Sequence, residues 1–531
     1  MPFSPILRVL LVQPCTPDSY WSFYTAIKYT QVKAVMPPLS LITVAALLPQ
    51  HWQFRLVDEN IQKLTDDHIR TCDVVFISGM IIHRAAIQVV VERCQRLGKP
   101  SVVGGPFVTS LPEAPELTLA TSRVIGELED QEFLASLVDD FHRASIAPIY
   151  RAPAQPSLAE APVPRFDLLN VEDYNSMAVQ MSRGCPQRCE FCDIIVMYGR
   201  KPRYKTTKQV LAELEALYQT GFRGNVFVVD DNFIGNVKLV EQLMEPLQAW
   251  QAERGYPFGL YTEADLRLAK MPQLMDNMTA AGFFAVFMGI ESPSTAALKE
   301  AMKFQNTGIN LVESVGEIRR HGLMVYGGFI LGFDSDTADC FDAMAEFVEA
   351  AAIDFAMVGT LIALAGTPLE ARLKREGRLT SEEADGDQFK LTNVIPLQLT
   401  QLELVRGYRR VLERLYSPKQ YFDRALRAIQ GWKPGPARKT NRRELGAVPR
   451  SFLKQGVWAP YRREYWKFMG WVLKNRPDAL ARAFAMAISY AHFHYYTNGV
   501  VVPRLRRAEE ELLRQALLSS ARPEQKIHLV V

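Results

Sequence analysis

Cysteine is scarce in this chain, with 7 in 531 residues, and the odd count excludes a simple disulfide framework. Such usage suits a reducing compartment, and three of the seven are clustered, as for a metal site. No run of about 18 uninterrupted apolar residues occurs, so no membrane-spanning helix is expected. The start, "MPFSPILRVLLVQP", lacks the basic stretch and small-residue cleavage site of a secretory leader. Its apolar run reads as a first strand, and a cytoplasmic location is expected. No repeat with a period of 20–50 residues is evident, which argues against a solenoid or propeller. With 48% hydrophobic and 22% charged residues the chain reads as globular, and its length allows two or three domains.

The net charge of +3 conceals an asymmetry. Residues 401–531 hold 26 Lys and Arg against 10 Asp and Glu, a surplus of +16. The remainder holds 35 against 48, or −13. A basic tail on an acidic body has two readings. It meets a polyanion, either a membrane surface or a nucleic acid, or it is a solvated helical face that docks on the body.

Strand and helix patterns alternate over the first 130 residues. Strands are read at 7–14, 54–60, 73–80 and 100–106, and helices at 37–49 and 83–98. This predicts an α/β, doubly wound parallel sheet over 1–144. Polar and glycine residues follow the strands, where such sheets bind ligands. Residues 145–175 are proline-rich and aperiodic and read as a linker. From 176 to 380 six further strands with five intervening helices predict a barrel or partial barrel with its site at the strand tips. Residues 381–531 read as a mostly helical, basic domain with no nameable chemical motif.

"RGCPQRCEFCD" (183–193) places Cys185, Cys189 and Cys192 in the spacing C-x3-C-x2-C, in a loop opened by Gly184 and Pro186. A closed zinc site takes four ligands, and no fourth is near: the closest other cysteine is Cys94 and the closest histidine His142. A four-iron cluster takes four thiolates when saturated, so three leave one iron open.

With aromatic Phe191 ahead of the last cysteine, this cluster resembles the signature of the radical S-adenosylmethionine superfamily. The resemblance implies a partial (β/α)6 barrel carrying a 4Fe-4S cluster on Cys185, Cys189 and Cys192. Its open iron binds the amino and carboxylate groups of S-adenosylmethionine, and one electron cleaves the sulfonium to methionine and a 5′-deoxyadenosyl radical. It further implies S-adenosylmethionine contacts from Phe191, from Asp230, Asp231 and Asn232 in "VDDNF", from Glu263 toward ribose, from Glu291, and from Gly328 and Ile330 in "GGFILGF" toward adenine.

The front region resembles the cobalamin-binding, Rossmann-like domain of class B enzymes of that superfamily. That resemblance implies corrinoid contacts from Asp58, Glu59, Asn60, Ser78, Gly104, Gly105, Pro106, Gly126 and Glu127. Many such domains carry D-x-H-x-x-G; here "DENIQKL" keeps Asp58 but has Asn60 where the histidine stands. A corrinoid without a histidine on its lower face is therefore expected, which eases reduction of the cobalt.

Over its whole length the chain resembles the hopanoid C-2 methylase family, including "CEFCDIIVMYGRKPRYKT" (189–206) and "VDDNFIGN" (229–236). The resemblance implies methyl transfer to an unactivated carbon of a pentacyclic triterpenoid lipid. It also implies a reductase, flavodoxin or ferredoxin as electron donor, and the basic tail suits peripheral contact with the inner face of a membrane. The same chemistry on a tetrapyrrole or natural product is an alternative, as is RNA modification. No RNA-binding module is recognisable, so nucleic acid is not expected.

Overall fold

β1 (Arg8–Gln13) is buried on both sides, and its alternate residues enter different cores. Val9 and Leu11 pack with Leu41, Trp52 and Phe141, while Leu10 and Val12 pack with Val90, Val91 and Phe107. Helices on both faces of a parallel sheet produce this division. β1 pairs in parallel with β2 (Gln53–Asp58) and β3 (Val74–Ser78); β4 (Ser101–Gly104), β5 (Ser122–Ile125) and β6 (Ile149–Arg151) follow, in the order β2-β1-β3-β4-β5-β6. The doubly wound sheet is as expected. It extends further than the sequence suggested, since β6 lies inside the stretch read as a linker and hydrogen-bonds along β5.

The computed structural model describes residues 6–153, 155–380, 392–436, 438 and 440–520. Residues 381–391, where the helical region was expected to begin, lie outside the described residues, as do 437 and 439 of its basic loop and its last eleven positions.

The second sheet starts with β7 (Ser176–Val179). A short antiparallel ribbon, β8 (Ser182–Arg183) with β9 (Arg203–Tyr204), brackets the cysteine loop. Then come β10 (Gly224–Val228), β11 (Phe258–Glu263), β12 (Phe283–Glu291), β13 (Met324–Leu331) and β14 (Phe355–Thr360), all parallel in the order β7-β10-β11-β12-β13-β14. β7 and β14 remain edges, so the barrel is open. Its helices form as their patterns dictate: Thr206 and Gln209 make a capping box for Thr207–Gln219, which turns Val210, Leu214 and Leu217 inward.

Residues 20–23 wedge between barrel and C-terminal helices. Trp21 meets Phe287 edge-on at 5.2 Å, and Phe23 stacks on Phe355 at 5.2 Å. On the other side Tyr20 meets Tyr496 at 4.8 Å, and His492 reaches the carbonyls of Ser19 and Tyr20 at 3.1 Å. The helical region is not a separate core. Its apolar faces join one cluster running from Tyr20 through the barrel to Leu505, and buried Arg424 donates to the carbonyl of Ile353 at 2.6 Å.

The front sheet is tied to the cysteine loop by charge. Arg183 donates to Glu127 and pairs with Glu129, both at 2.7 Å, and Arg203 grips Glu127 at 2.7 and 2.9 Å. The Glu127 side chain is 7% exposed. Removing one member of a buried network strands its partners, so Glu127→Gln is expected to destabilise the protein by roughly 3 kcal/mol, read as a lower urea midpoint. An unchanged midpoint would refute this bracing role.

Candidate active site

The segment after β10 holds the cysteine loop residue by residue. Asp230 accepts from the Met181 amide at 2.8 Å and the Ser182 hydroxyl at 2.6 Å; Asp231 accepts from the Gly184 amide at 2.7 Å. Asn232 donates to Asp265 at 2.9 Å and reaches the Cys185 sulfur at 3.9 Å. β10 lies beside β7, so its tip faces the chain leaving β7. Of these three side chains, which the family resemblance directs at the methionine amino group, the two aspartates are thus occupied in positioning the loop, while the buried Asn232 Oδ1 has no partner among the described residues. Burial pushes both aspartates up to about 6. Gly184 turns the loop at φ +94°, where a Cβ would press on the carbonyls of Tyr198 and Gly199 at 3.0 Å.

Burial raises the Cys185 and Cys192 thiols, and Asp193 adds to the effect at Cys192. A thiolate-binding metal displaces those protons. Among the described residues no three His, Cys, Asp or Glu side chains close on a single ion. The three thiols nevertheless share one short loop, closed by the Cys192 amide donating to the Cys189 carbonyl at 3.2 Å. That arrangement fits an inorganic cluster with each sulfur on a different iron better than one ion. Gln305 reaches the Cys189 sulfur at 3.7 Å, a second amide aimed at the site.

Glu263 ends β11 half-buried at the strand tip, and no hydrogen-bond partner is found for its carboxyl among the described residues. Burial, then the charges of Asp231 and Asp230, push it up to about 8. Such a carboxyl fits a ligand that brings a cation or hydroxyl donors. Glu291 differs: it pairs with Lys303, and Gly289 leaves the room, since a Cβ there would lie 2.7 Å from the Lys303 nitrogen. Burial alone would lower Lys303, but Glu291 together with the nearby Cys189 and Cys192 raises it and keeps the ammonium charged. Glu291 holds φ +66° at a register shift between β12 and β13, a left-handed conformation that costs about 1–3 kcal/mol. Phe191 and Ile330 pack against one apolar cluster with Ala301, Phe333 and Leu361. Gly328 lies elsewhere, beneath the Phe287 ring, which a Cβ would approach to 3.2 Å.

On β10 and β13 the helix-facing residues are buried while the inward ones are only half-buried, so the interior keeps open space. Its wall is aromatic. Phe227 stacks on Tyr261 at 4.7 Å, Tyr326 meets Phe355 at 4.6 Å, and Trp21 covers Phe287.

The residues expected to hold a corrinoid gather at the carboxyl ends of β2 to β5. Asp58 accepts from the backbone and side-chain nitrogens of Asn60 at 2.9 and 2.7 Å and from the Tyr174 hydroxyl at 3.1 Å. Asn60 in turn accepts from the Thr16 amide at 2.8 Å, joining the tips of β1 and β2. Burial raises Asp58 and the adjacent Glu59. Ser78 meets Ser40 at 3.1 Å, and Gly104, Gly105 and Pro106 lead from β4 into the next helix. Gly105, at φ +90°, passes so close to Ser78 that a Cβ would sit 2.5 Å from its hydroxyl. Gly126 follows β5 and donates to Thr109 at 3.2 Å, whereas Glu127 is engaged with the two arginines. One residue here had no sequence signal, His83. Its Nδ1 accepts from the Met80 amide at 3.1 Å, which leaves Nε2 protonated toward Thr16 at 3.0 Å. Both ring nitrogens are engaged, and burial keeps the ring neutral.

Residues 179–348 match the Radical SAM superfamily, and 367–503 match a domain of unknown function, DUF4070. An uncharacterized methyltransferase of Synechocystis is 40% identical over 497 residues, covering 92% of each chain. The hopanoid C-2 methylase of Rhodopseudomonas palustris is 34% identical over 472 residues, covering 87% of this chain and 88% of its own. The cobalamin-dependent S-adenosylmethionine radical enzyme OxsB, solved with aqua-cobalamin and S-adenosylmethionine bound, shares the fold with a TM-score of 0.59 at 14% identity, over 99% of this chain and 82% of its own. A front parallel sheet, an open six-stranded barrel bearing three cysteines and relatives matching nearly end to end lead to one assignment: the chain belongs to the radical S-adenosylmethionine methyltransferases.

Proposed function

We propose that this methyltransferase acts on a hopanoid and that the acceptor carbon is C-2. The observation that carries the reading is the aromatic wall of the barrel interior. Phe227, Tyr261, Phe287 and Tyr326 offer a polycyclic hydrocarbon flat, apolar contact, with the partnerless Glu263 at its rim. The relative that methylates hopanoids matches along almost the whole of both chains.

In this reading Cys185, Cys189 and Cys192 hold a 4Fe-4S cluster, and Glu263, Phe191 and Ile330 hold S-adenosylmethionine. The strand ends from Asp58 to Gly126 would hold a corrinoid, with Asn60 at the position where many such domains carry a histidine. Bound there, the cluster supplies one electron to S-adenosylmethionine and the corrinoid carries the methyl group. The chain's own residues do the positioning. Asp230 and Asp231 fix the cysteine loop, Glu263 takes hydroxyl or ammonium donors, and the aromatic wall excludes water. The Arg183–Glu127–Arg203 network fixes the front sheet against the loop. A reductase, flavodoxin or ferredoxin supplies electrons. The protein works from the cytoplasm at the inner face of the membrane, where a lipid substrate resides.

Lipid extracts test the substrate. In a host that makes the unmethylated hopanoid, expression is expected to produce the 2-methyl lipid and Glu263→Gln to reduce it severely. Absence of that lipid while the protein forms 5′-deoxyadenosine, or a methylated tetrapyrrole in its place, would overturn the reading.

A further inference from the structure

The C-terminal region presents a surface that the reaction chemistry does not use. The helix Arg442–Ser451 runs into a π-helical turn, Phe452–Trp458, and after Pro460 the helix Arg462–Asn475 follows. Its inner side is conventional core: Ala447, Tyr465, Phe468 and Val472 are buried. Its outer side is not a solvated polar face. Trp458 is 70% exposed, Leu473 62% and Leu445 58%, and Phe452, Leu453 and Val457 are also exposed. The Phe452 ring meets that of exposed Trp466 at 4.6 Å, which joins the turn and the second helix into one patch.

The charge around this patch has one sign. Residues 442–474 contain eight Lys and Arg and two Asp and Glu. Both acids are spoken for: Glu444 caps Asn441 and pairs with Arg438, and Glu464 pairs with Lys467 at 2.8 Å. Arg442, Arg462, Arg463 and Lys474 are exposed, and none has an acidic partner among the described residues. Elsewhere the basic tail does dock on the body, as where Arg414 pairs with Glu349 at 2.9 Å, and within this stretch Arg443 pairs with Glu172. This stretch carries +6 of the tail's +16 in 33 of its 131 positions.

We propose that this face docks on an anionic lipid bilayer. Exposed Trp, Phe and Leu ringed by unpaired cations form the interfacial pattern, with the apolar side chains in the acyl boundary and the cations at the headgroups. Among the described residues no helix is long and apolar enough to cross a membrane, so the contact lies on the surface. A second copy of the chain is a poor occupant, because two such faces would set cations against cations. The face also connects to the barrel. Arg450 of the first helix clamps the Tyr29 carbonyl at 2.7 Å and Gln31 at 2.6 Å, at the end of the helix Tyr24–Thr30. The turn before that helix puts Trp21, itself 43% exposed, over Phe287 in the barrel. A lipid leaving the bilayer at this face has one short element to pass. The proposal rests on the lipid-substrate reading for its purpose but not for its test.

Full-length protein is floated with phosphatidylcholine vesicles, with and without phosphatidylglycerol, over a salt series. Binding is expected only to the anionic vesicles and is expected to fall with salt. Because each cation near such a surface contributes roughly fivefold, Arg462→Gln with Arg463→Gln is expected to weaken partitioning roughly twenty-five-fold. Trp458→Ser with Leu473→Ser is expected to weaken it on both low and high salt. All four positions are exposed, and circular dichroism identifies any variant that has misfolded. No binding to anionic vesicles, binding unchanged by both pairs, or variants that only dissolve a dimer would overturn the proposal. So would salt-sensitive RNA retention that the Trp458/Leu473 pair leaves unchanged while vesicles are ignored. Both variants are expected to keep wild-type turnover on detergent-dispersed hopanoid. If the substrate reading alone is wrong, vesicle binding persists while no hopanoid is methylated.

Discussion

Alanine at Cys185, Cys189 or Cys192 strips the anaerobically reconstituted protein of about four irons per chain and stops 5′-deoxyadenosine formation, while the fold survives. The loop does not depend on the thiols for its shape. Asp230 and Asp231 hold its entry, Gly184 makes the turn, and the β8–β9 ribbon closes behind it. Circular dichroism is therefore expected to be unchanged, whereas iron content, visible absorbance and deoxyadenosine fall to background. Cys185→Ala that kept iron and deoxyadenosine formation would refute the assignment of the site.

Glu263→Gln is expected to act in opposite directions on stability and on ligand binding. Between the ordinary value of 4.5 and about 8, the native protein holds a proton that the unfolded chain has released. The wild-type protein thus loses stability as pH rises through this window, and the loss is complete above it. Glutamine carries no such cost. The cofactor-free variant should match wild type near pH 4 and be more stable at pH 8.5, by on the order of 2 kcal/mol once water in the cavity is allowed for. Its affinity for S-adenosylmethionine should fall on the order of tenfold, since a charge-assisted hydrogen bond is lost. Thermal denaturation across pH and equilibrium dialysis read the two effects. A variant with wild-type pH dependence and wild-type affinity would remove Glu263 from the site.

Local features of this molecule could be read from the chain, and distant contacts could not. The cysteine triad lies within eight positions, so its spacing alone signals a loop around one inorganic group. The strands of both sheets show as apolar runs ended by polar or glycine residues, because parallel strands are buried on both faces. Glu127 appeared as one more strand-tip residue, yet its partners Arg183 and Arg203 lie 56 and 76 positions away. Gln305 and Lys303 approach the site from a single 3-10 turn, Phe304–Asn306, and its N-cap, together too short to show a periodicity. The wedge at 20–23 is held by helix residues more than 470 positions later. Asp230, Asp231 and Asn232 were legible as site residues, but their engagement with the cysteine loop depends on β10 lying beside β7, which only the sheet order reveals.

On the proposed reading this chain takes hydrogen from a ring carbon of a hopanoid and puts a methyl group there. The direct measurement uses anaerobically reconstituted protein, a reductant, S-adenosylmethionine and a hopanoid carrying deuterium at C-2. Deuterium is expected in the 5′-deoxyadenosine formed, in step with 2-methylhopanoid, and neither product is expected from Cys185→Ala. Unlabelled deoxyadenosine without methylated lipid, or methylated lipid from the cysteine variant, would contradict that reading.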